Sequence, residues 1–359
     1  MSMRILYIAE NLDRPEEHMI RQVHAAGHEV TVLLPKDVPA YDALEKGGIQ
    51  ALPLVLNGRM DLRAVHSITK TLNQENIELV HCLRNNRPLA NTLLATHKRP
   101  TATVCYRGTT GNLNRWDPGA RLTYLSSRVD RIVAVSEGVR QYLLTLEIPA
   151  QRIVTIHKGH DVAWYHTDTK PDLSEFGIPP DAFVVGCAAN MRALKGVDVL
   201  VRSLDHLSTK RDVHLLLIGE VRDPALADLI QQPGYAKRVH ALGFRQDASA
   251  LSGACHAFCM PSLRREGLPR AVIEAMSQSV PPLVTAVGGM VELVEDGISG
   301  QVVPPGNPEA LADAIATWVD DETGRLQCGR QAKQRIEQSF SLAQTVRKTL
   351  ALYDDVLQG

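Results

Sequence analysis

The sequence lacks several features that mark particular classes of protein, and each gap narrows the reading. No run of 18 apolar residues occurs in its 359 residues, so no segment reads as a membrane-spanning helix. Met-Ser-Met-Arg-Ile-Leu leads straight into a strand-like segment without the apolar core of a secretory signal, and a cytoplasmic address is expected. Cysteine is sparse: Cys82, Cys105, Cys187, Cys255, Cys259 and Cys328 are scattered, mostly in apolar segments, with no C-x-x-C, as buried thiols in a reducing compartment would be. Cys255, His256 and Cys259 make a poor zinc site, because strand alternation would turn Cys255 and His256 to opposite faces. No strand candidate is followed by G-x-G-x-x-G, which argues against a nicotinamide-dependent enzyme. Net charge is only −1, which argues against a nucleic-acid partner.

What charge there is lies unevenly. Residues 1–161 hold 20 Lys and Arg against 16 Asp and Glu, and the excess concentrates between Arg84 and Arg131, where nine basic residues face only Asp117 and Asp130. A basic stretch of this kind is either a solvated face or a surface for an anionic acceptor or anionic lipid headgroups. Short β-branched runs alternate with helical patterns along almost the whole chain, which predicts an α/β protein with parallel sheets. At this length two domains are expected. The pattern places an N-terminal domain at 1–160, a polar linker at 161–180, a second domain at 181–340 and a closing helix at 341–359. Single helices are expected over Gly196–Leu207, Glu322–Gln338 and Leu342–Leu357.

The most informative stretch is Ser262-Leu-Arg-Arg-Glu266-Gly-Leu-Pro-Arg-Ala-Val-Ile-Glu274-Ala-Met276, followed by Pro281 to Gly289. Two glutamates eight residues apart are no signal alone, since about one such pair is expected by chance in a chain this long. Here they sit in a strand, loop, helix, strand, helix pattern. Pro269 needs no N–H donor at a helix start, so Glu266-Gly267-Leu268 becomes the loop feeding that helix. Upstream, Asn190-Met-Arg192-Ala-Leu-Lys195-Gly196 stands where the second domain's first strand gives way to a helix. This constellation resembles the donor-site signature of retaining glycosyltransferases of family 4, which have the GT-B fold. The resemblance is strong from Asn190 to Pro305. It implies two Rossmann-like doubly wound parallel-sheet domains facing across a cleft, with the last helix crossing back to the first domain.

The resemblance also implies roles. Arg192 and Lys195 would neutralise the donor diphosphate, on which negative charge grows as the glycosidic bond breaks. Glu266 would contact hydroxyls of the transferred sugar, and Glu274 would accept from the ribose hydroxyls. Asn190, Gly267, Leu268, Pro269 and the pair Gly288-Gly289 complete the donor set, the glycines permitting close backbone approach. No metal and no separate cofactor are expected. The first domain departs from the family: paired glycines usual after the first strand are replaced by Glu10-Asn11-Leu-Asp-Arg14-Pro15, and Tyr106-Arg107-Gly-Thr carries no histidine where one is common. Asn11, Arg14, His81, Arg84 and Arg107 are the acceptor or cleft candidates.

The implied activity is transfer of a sugar from a nucleotide-sugar to an acceptor hydroxyl with retained anomeric configuration, in cell-surface polysaccharide, lipopolysaccharide or glycolipid synthesis. An anionic or lipid-linked acceptor and peripheral membrane contact are expectations from the basic first half. A sugar-nucleotide epimerase and a catalytically silent sugar-nucleotide-binding scaffold remain alternatives.

Overall fold

Parallel strands cannot be joined by tight hairpins, so each short apolar strand in this sequence is followed by a helical or irregular crossover. The computed structural model describes residues 2–358 apart from 84–85, 168 and 209–210. The chain divides into two compact units, Met1–Gly159 with Leu342–Gly359, and His160–Ser341.

Among the described residues the first unit builds one seven-stranded sheet from β1 (Arg4–Ile8), β2 (Glu29–Leu34), β3 (Gln50–Pro53), β4 (Leu79–Cys82), β5 (Ala102–Arg107), β6 (Arg131–Ala134) and β7 (Ile153–Thr155). Their order is β3-β2-β1-β4-β5-β6-β7, all parallel, so the winding reverses between β1 and β4. The helix Leu342–Gln358 belongs to this unit and packs against the helix Arg14–Ala25. Its Tyr353, fully buried, places its hydroxyl 2.9 Å from that of Tyr7 on β1 and 2.6 Å from His81 Nδ1 on β4. Thr345 on the same helix donates to the His157 carbonyl and accepts from the Gly159 amide, each at 2.8 Å.

The second unit contains β8 (Phe183–Ala188), β9 (Val213–Ile218), β10 (Val239–Ala241), β11 (Ala257–Met260), β12 (Pro282–Thr285) and β13 (Gln301–Val303) in the parallel order β10-β9-β8-β11-β12-β13. Its reversal lies between β8 and β11. β9 is buried along its whole length, as a central parallel strand with helices on both faces should be. The described part of 161–180 lies in this unit, with 3-10 turns at Val162–Tyr165 and Leu173–Phe176.

Two local features differ from the sequence reading. Pro39–Lys46 is a helix that the polar, proline-containing segment did not announce; Pro39 sits in its first turn, where a missing N–H costs nothing. The single helix expected over Gly196–Leu207 is instead a 3-10 turn at Ala193–Lys195, an α-helix at Val197–Ser203 and a second 3-10 turn at Leu204–His206. Gly196 has φ of +62°, left-handed geometry that starts the helix one residue late and bends the preceding loop toward β11.

Candidate active site

Ligands of open α/β sheets bind outside the carboxyl ends of the strands where the winding reverses. In the second unit that place holds the loops after β8, β11 and β12, and they are tied together. The Leu263 amide donates to the Leu194 carbonyl at 2.9 Å, joining the first two loops. The Thr285 hydroxyl at the end of β12 donates to the Ser262 carbonyl at 2.5 Å. A Cβ on Gly196 would lie 2.3 Å from the Pro261 carbonyl oxygen, and one on Gly288 would lie 2.0 Å from that of Glu266. No side chain fits at either contact.

Glu266 is the centre of this clamp. It is 5% exposed, and its Oε1 accepts from Lys195 Nζ at 2.6 Å and from the Ser262 hydroxyl. Both donors use the same oxygen. Arg265, immediately before it, has φ of +66°, a conformation that costs a non-glycine residue about 1–2 kcal/mol and turns the chain from the exposed 263–265 segment to the buried Glu266. Asn190 and Arg192 are exposed on the loop after β8, where the Asn190 carbonyl accepts the Arg192 amide at 2.8 Å. Gly267, Leu268 and Pro269 lead into the helix Arg270–Ser277, whose first turn has no side-chain cap. Its opening amides therefore remain without a capping side chain.

Glu274 lies on that helix with its side chain 14% exposed, 3.1 Å from Arg270 Nε. Burial holds its carboxyl above the ordinary range, and the Arg270 charge, itself largely solvated, offsets this only in part. Gly289 precedes the one-turn helix Met290–Leu293. Lys195, Glu266 and Gly288 are thus brought together directly, while Arg192, Asn190 and Glu274 stand on the same loops and the following helix.

The candidates in the first unit fare differently. His81 was expected on the acceptor side, but it is 2% exposed and held by Tyr353. Burial lowers its imidazole pKa to about 3, so it is a neutral core residue rather than an exposed one. Asn11 and Arg14 are exposed, Arg14 at the first position of the helix Arg14–Ala25. The glycine-free loop is rigid for its own reason: Asp13 and Glu16 form a reciprocal capping box, and Lys158 binds both, at 3.0 and 2.6 Å. Arg84 lies outside the described residues.

Arg107 does face a cavity, one of about 850 Å³ at the carboxyl ends of β1, β4 and β5. It donates to the Thr109 and Gly111 carbonyls and lies over the Tyr124 ring at 5.3 Å, so its guanidinium is fixed with no acidic partner among the described residues. The same lining includes Arg59, Asn112 and Lys158, which sequence reasoning did not assign to a site, and Arg87, which it placed only within the basic stretch. Arg87 and Lys158 could have been found by taking the residues just beyond each strand end. Arg59 had no local signal.

Two doubly wound units, with a strand-end site at the reversal of the second, define the GT-B fold, and solved structures agree. A glycosyltransferase from Rickettsia africae is 22% identical, with a TM-score of 0.85 over 100% of this chain and 99% of that one. The Anabaena protein HepE in complex with UDP is 21% identical, with a TM-score of 0.82 over 98% of this chain and all of its own. The family model described as Glycosyl transferases group 1 matches residues 168–335, and that of Glycosyltransferase Family 4 matches 17–164. The chain belongs to glycosyltransferase family 4. Among curated relatives, D-inositol 3-phosphate glycosyltransferase of Corynebacterium glutamicum is 27% identical over 63% of this chain, and the match spans 57% of that protein. The lipopolysaccharide core biosynthesis mannosyltransferase LpcC of Rhizobium leguminosarum is 26% identical over 77% of this chain and 78% of its own length.

Proposed function

We propose that this protein transfers a sugar from a nucleotide-sugar to an acceptor hydroxyl, with retention of the anomeric configuration. The observation that carries the reading is the clamp on Glu266. Lys195 and Ser262 occupy its Oε1, which fixes the carboxylate and leaves Oε2 for a hydroxyl of the transferred sugar. Ion-assisted hydrogen bonds of that kind are worth about 1.5–3 kcal/mol each. Arg192, exposed on the adjoining loop, and Lys195 then supply fixed positive charge for the departing diphosphate. The half-buried Glu274 accepts from the ribose hydroxyls, its desolvation making each such bond stronger.

With Glu266 engaged by a lysine and a serine, we favour a same-face displacement in which the leaving phosphate takes the acceptor proton. The rival is a covalent sugar adduct on Glu266. Detection of that adduct by mass spectrometry would defeat the same-face route. A lipopolysaccharide mannosyltransferase and a capsular polysaccharide glycosyltransferase among the relatives support an acceptor in cell-envelope glycan synthesis. The bound UDP and UDP-glucose of HepE make uridine nucleotides the first donors to try.

The test is thermal denaturation with UDP, GDP, ADP and their sugar conjugates, on the native chain and Glu274→Ala. Ligand at a hundred times its dissociation constant stabilises the fold by about 2.7 kcal/mol. A shift with one nucleotide family, lost in Glu274→Ala, supports the donor site. Binding without turnover on any acceptor would favour the scaffold reading, and conversion of donor alone would favour an epimerase.

A further inference from the structure

A second, smaller cavity of about 30 Å³ in the first unit shares Tyr106 and Lys158 with the large one. Much of its lining is apolar, including Leu83, Val133 and Ile156. Two polar side chains in that lining are poorly matched. His81 is 2% exposed; its Nδ1 meets the Tyr353 hydroxyl at 2.6 Å, while its Nε2 is buried with no hydrogen-bond partner among the described residues. Thr349, also 2% exposed, has its hydroxyl against the Met19 sulfur at 3.9 Å, and a thioether is a weak acceptor. Thr345 on the same helix shows the contrast, since its hydroxyl donates to one carbonyl and accepts from one amide.

Burial keeps the His81 imidazole neutral, with one N–H and one lone pair. The state of Nε2 then follows from the Tyr353 proton. If Tyr353 donates to Tyr7, His81 donates from Nδ1 and Nε2 is a bare acceptor; if Tyr353 donates to His81, Nε2 carries the hydrogen. Nε2 needs a partner in either tautomer, and a buried nitrogen without one carries its full desolvation penalty. A molecule that both donates and accepts meets either need. Water does so, and the cavity exceeds the roughly 10–15 Å³ that one water requires.

The helix supplies the second partner. Thr349 and Tyr353 are four residues apart on the helix Leu342–Gln358, so they share a face and stand about 6 Å apart along its axis. Tyr353 engages one nitrogen of the ring directly, and Thr349 borders the cavity that the ring lines. We infer that this cavity is the binding site of one water molecule, held between His81 Nε2 and the Thr349 hydroxyl. The helix then grips the imidazole through both nitrogens, by Tyr353 at one and by water from Thr349 at the other, and is tied to β4 twice. The site belongs to the packing of the first unit and stands whether or not the protein transfers sugars.

A crystal structure of the full chain, with and without xenon pressure, tests the site. Expected is a water peak within hydrogen-bond distance of both His81 Nε2 and Thr349 Oγ1, and no xenon in the cavity, since xenon enters dry apolar cavities. Urea melts give an independent reading. Thr349→Val removes the hydroxyl at nearly constant shape and should raise the unfolding equilibrium constant roughly five-fold, the effect of losing one hydrogen bond. In a His81→Leu background, with no nitrogen to hold the water, the same change should cost nothing. No hydrogen bond joins the two side chains among the described residues, so such coupling passes through the water. Thr349→Ser retains the hydroxyl and should retain the water peak, a reading that does not depend on His81→Leu folding. A dry cavity, xenon within it, a water touching only one of the two groups, a direct bond between them, or an equal cost of Thr349→Val in both backgrounds would overturn the inference.

Discussion

Gly288→Ala tests whether the three strand-end loops of the second unit act as one clamp. Residue 288 has φ of +56°, and an added methyl carbon would meet the Glu266 carbonyl oxygen at 2.0 Å, far inside van der Waals contact. The backbone conformation alone costs an L-residue about 1–2 kcal/mol. The collision adds to this, and it has few ways to relax, because both partners are backbone. Moving the Glu266 carbonyl drags a carboxylate that is fixed by Lys195 and Ser262, and moving residue 288 pulls on β12, whose Thr285 holds Ser262. For a unit spanning His160–Ser341, each kcal/mol lowers the melting temperature by roughly 2–4 °C, so the conformational cost sets a minimum loss of about 2–8 °C. The decisive effect is on donor binding: Glu266 should lose its position, and, with Glu266 on the transferred sugar as proposed, the thermal shift produced by the nucleotide-sugar should shrink far more than that produced by the nucleotide alone. Calorimetry with both ligands measures the difference. A Gly288→Ala protein that melts like the native chain, or that binds the nucleotide-sugar with unchanged preference over the nucleotide, would refute the clamp.

Three further outcomes follow from buried groups. Lys195→Met leaves the Glu266 carboxylate buried with only Ser262, and breaking such a pair costs about 3–5 kcal/mol; Lys195→Met/Glu266→Gln should recover much of that stability in urea melts while remaining inactive. His81 is neutral in the folded state, with its pKa lowered by burial to about 3, while the unfolded chain protonates it near 6.5. The unfolded state then binds the extra proton between those values, so stability falls on acidification by about 1.4 kcal/mol per pH unit, a slope that His81→Asn should remove. All six cysteines are buried, with the thiols of Cys82, Cys187 and Cys255 pushed up to about 12, so a thiol reagent should label none of them until urea unfolds the chain.

The second unit was readable because its site is built from short contiguous segments whose residue types match their local geometry. Pro269 marked a helix start, Gly288-Gly289 a tight strand exit, and the alternation of β-branched runs gave the parallel sheet. What could not be read there was the reason for individual residues. Gly196 and Gly288 are required by carbonyls of another loop, at Pro261 and Glu266, a requirement created only when the sheet order brings β8, β11 and β12 side by side. Ser262 likewise looked like an ordinary loop residue until its hydroxyl was found on Glu266.

In the first unit the same rule, that function gathers at strand ends, gave mixed results, and the reason is burial. His81 and Arg107 stand near the carboxyl ends of neighbouring strands, β4 and β5, and sequence position ranks them equally. His81 is taken into the core by Tyr353, which lies 272 positions further along the chain, and no local pattern around residue 81 carries that information. Arg107 stays at the cavity because its own loop supplies two carbonyls to hold it and Tyr124 a face to rest on. A site assembled from long-range packing is decided by which distant side chain covers which strand end. The absence of glycines after β1 follows the same logic: Asp13 and Glu16 satisfy the helix start between themselves and also bind Lys158, so the loop has a fixed, charged structure where paired glycines would leave a bare backbone. Arg107, Arg59 and Lys158 all line this unit's cavity, so on the proposed function acceptor selectivity should respond to substitution of those three more than to any change at His81.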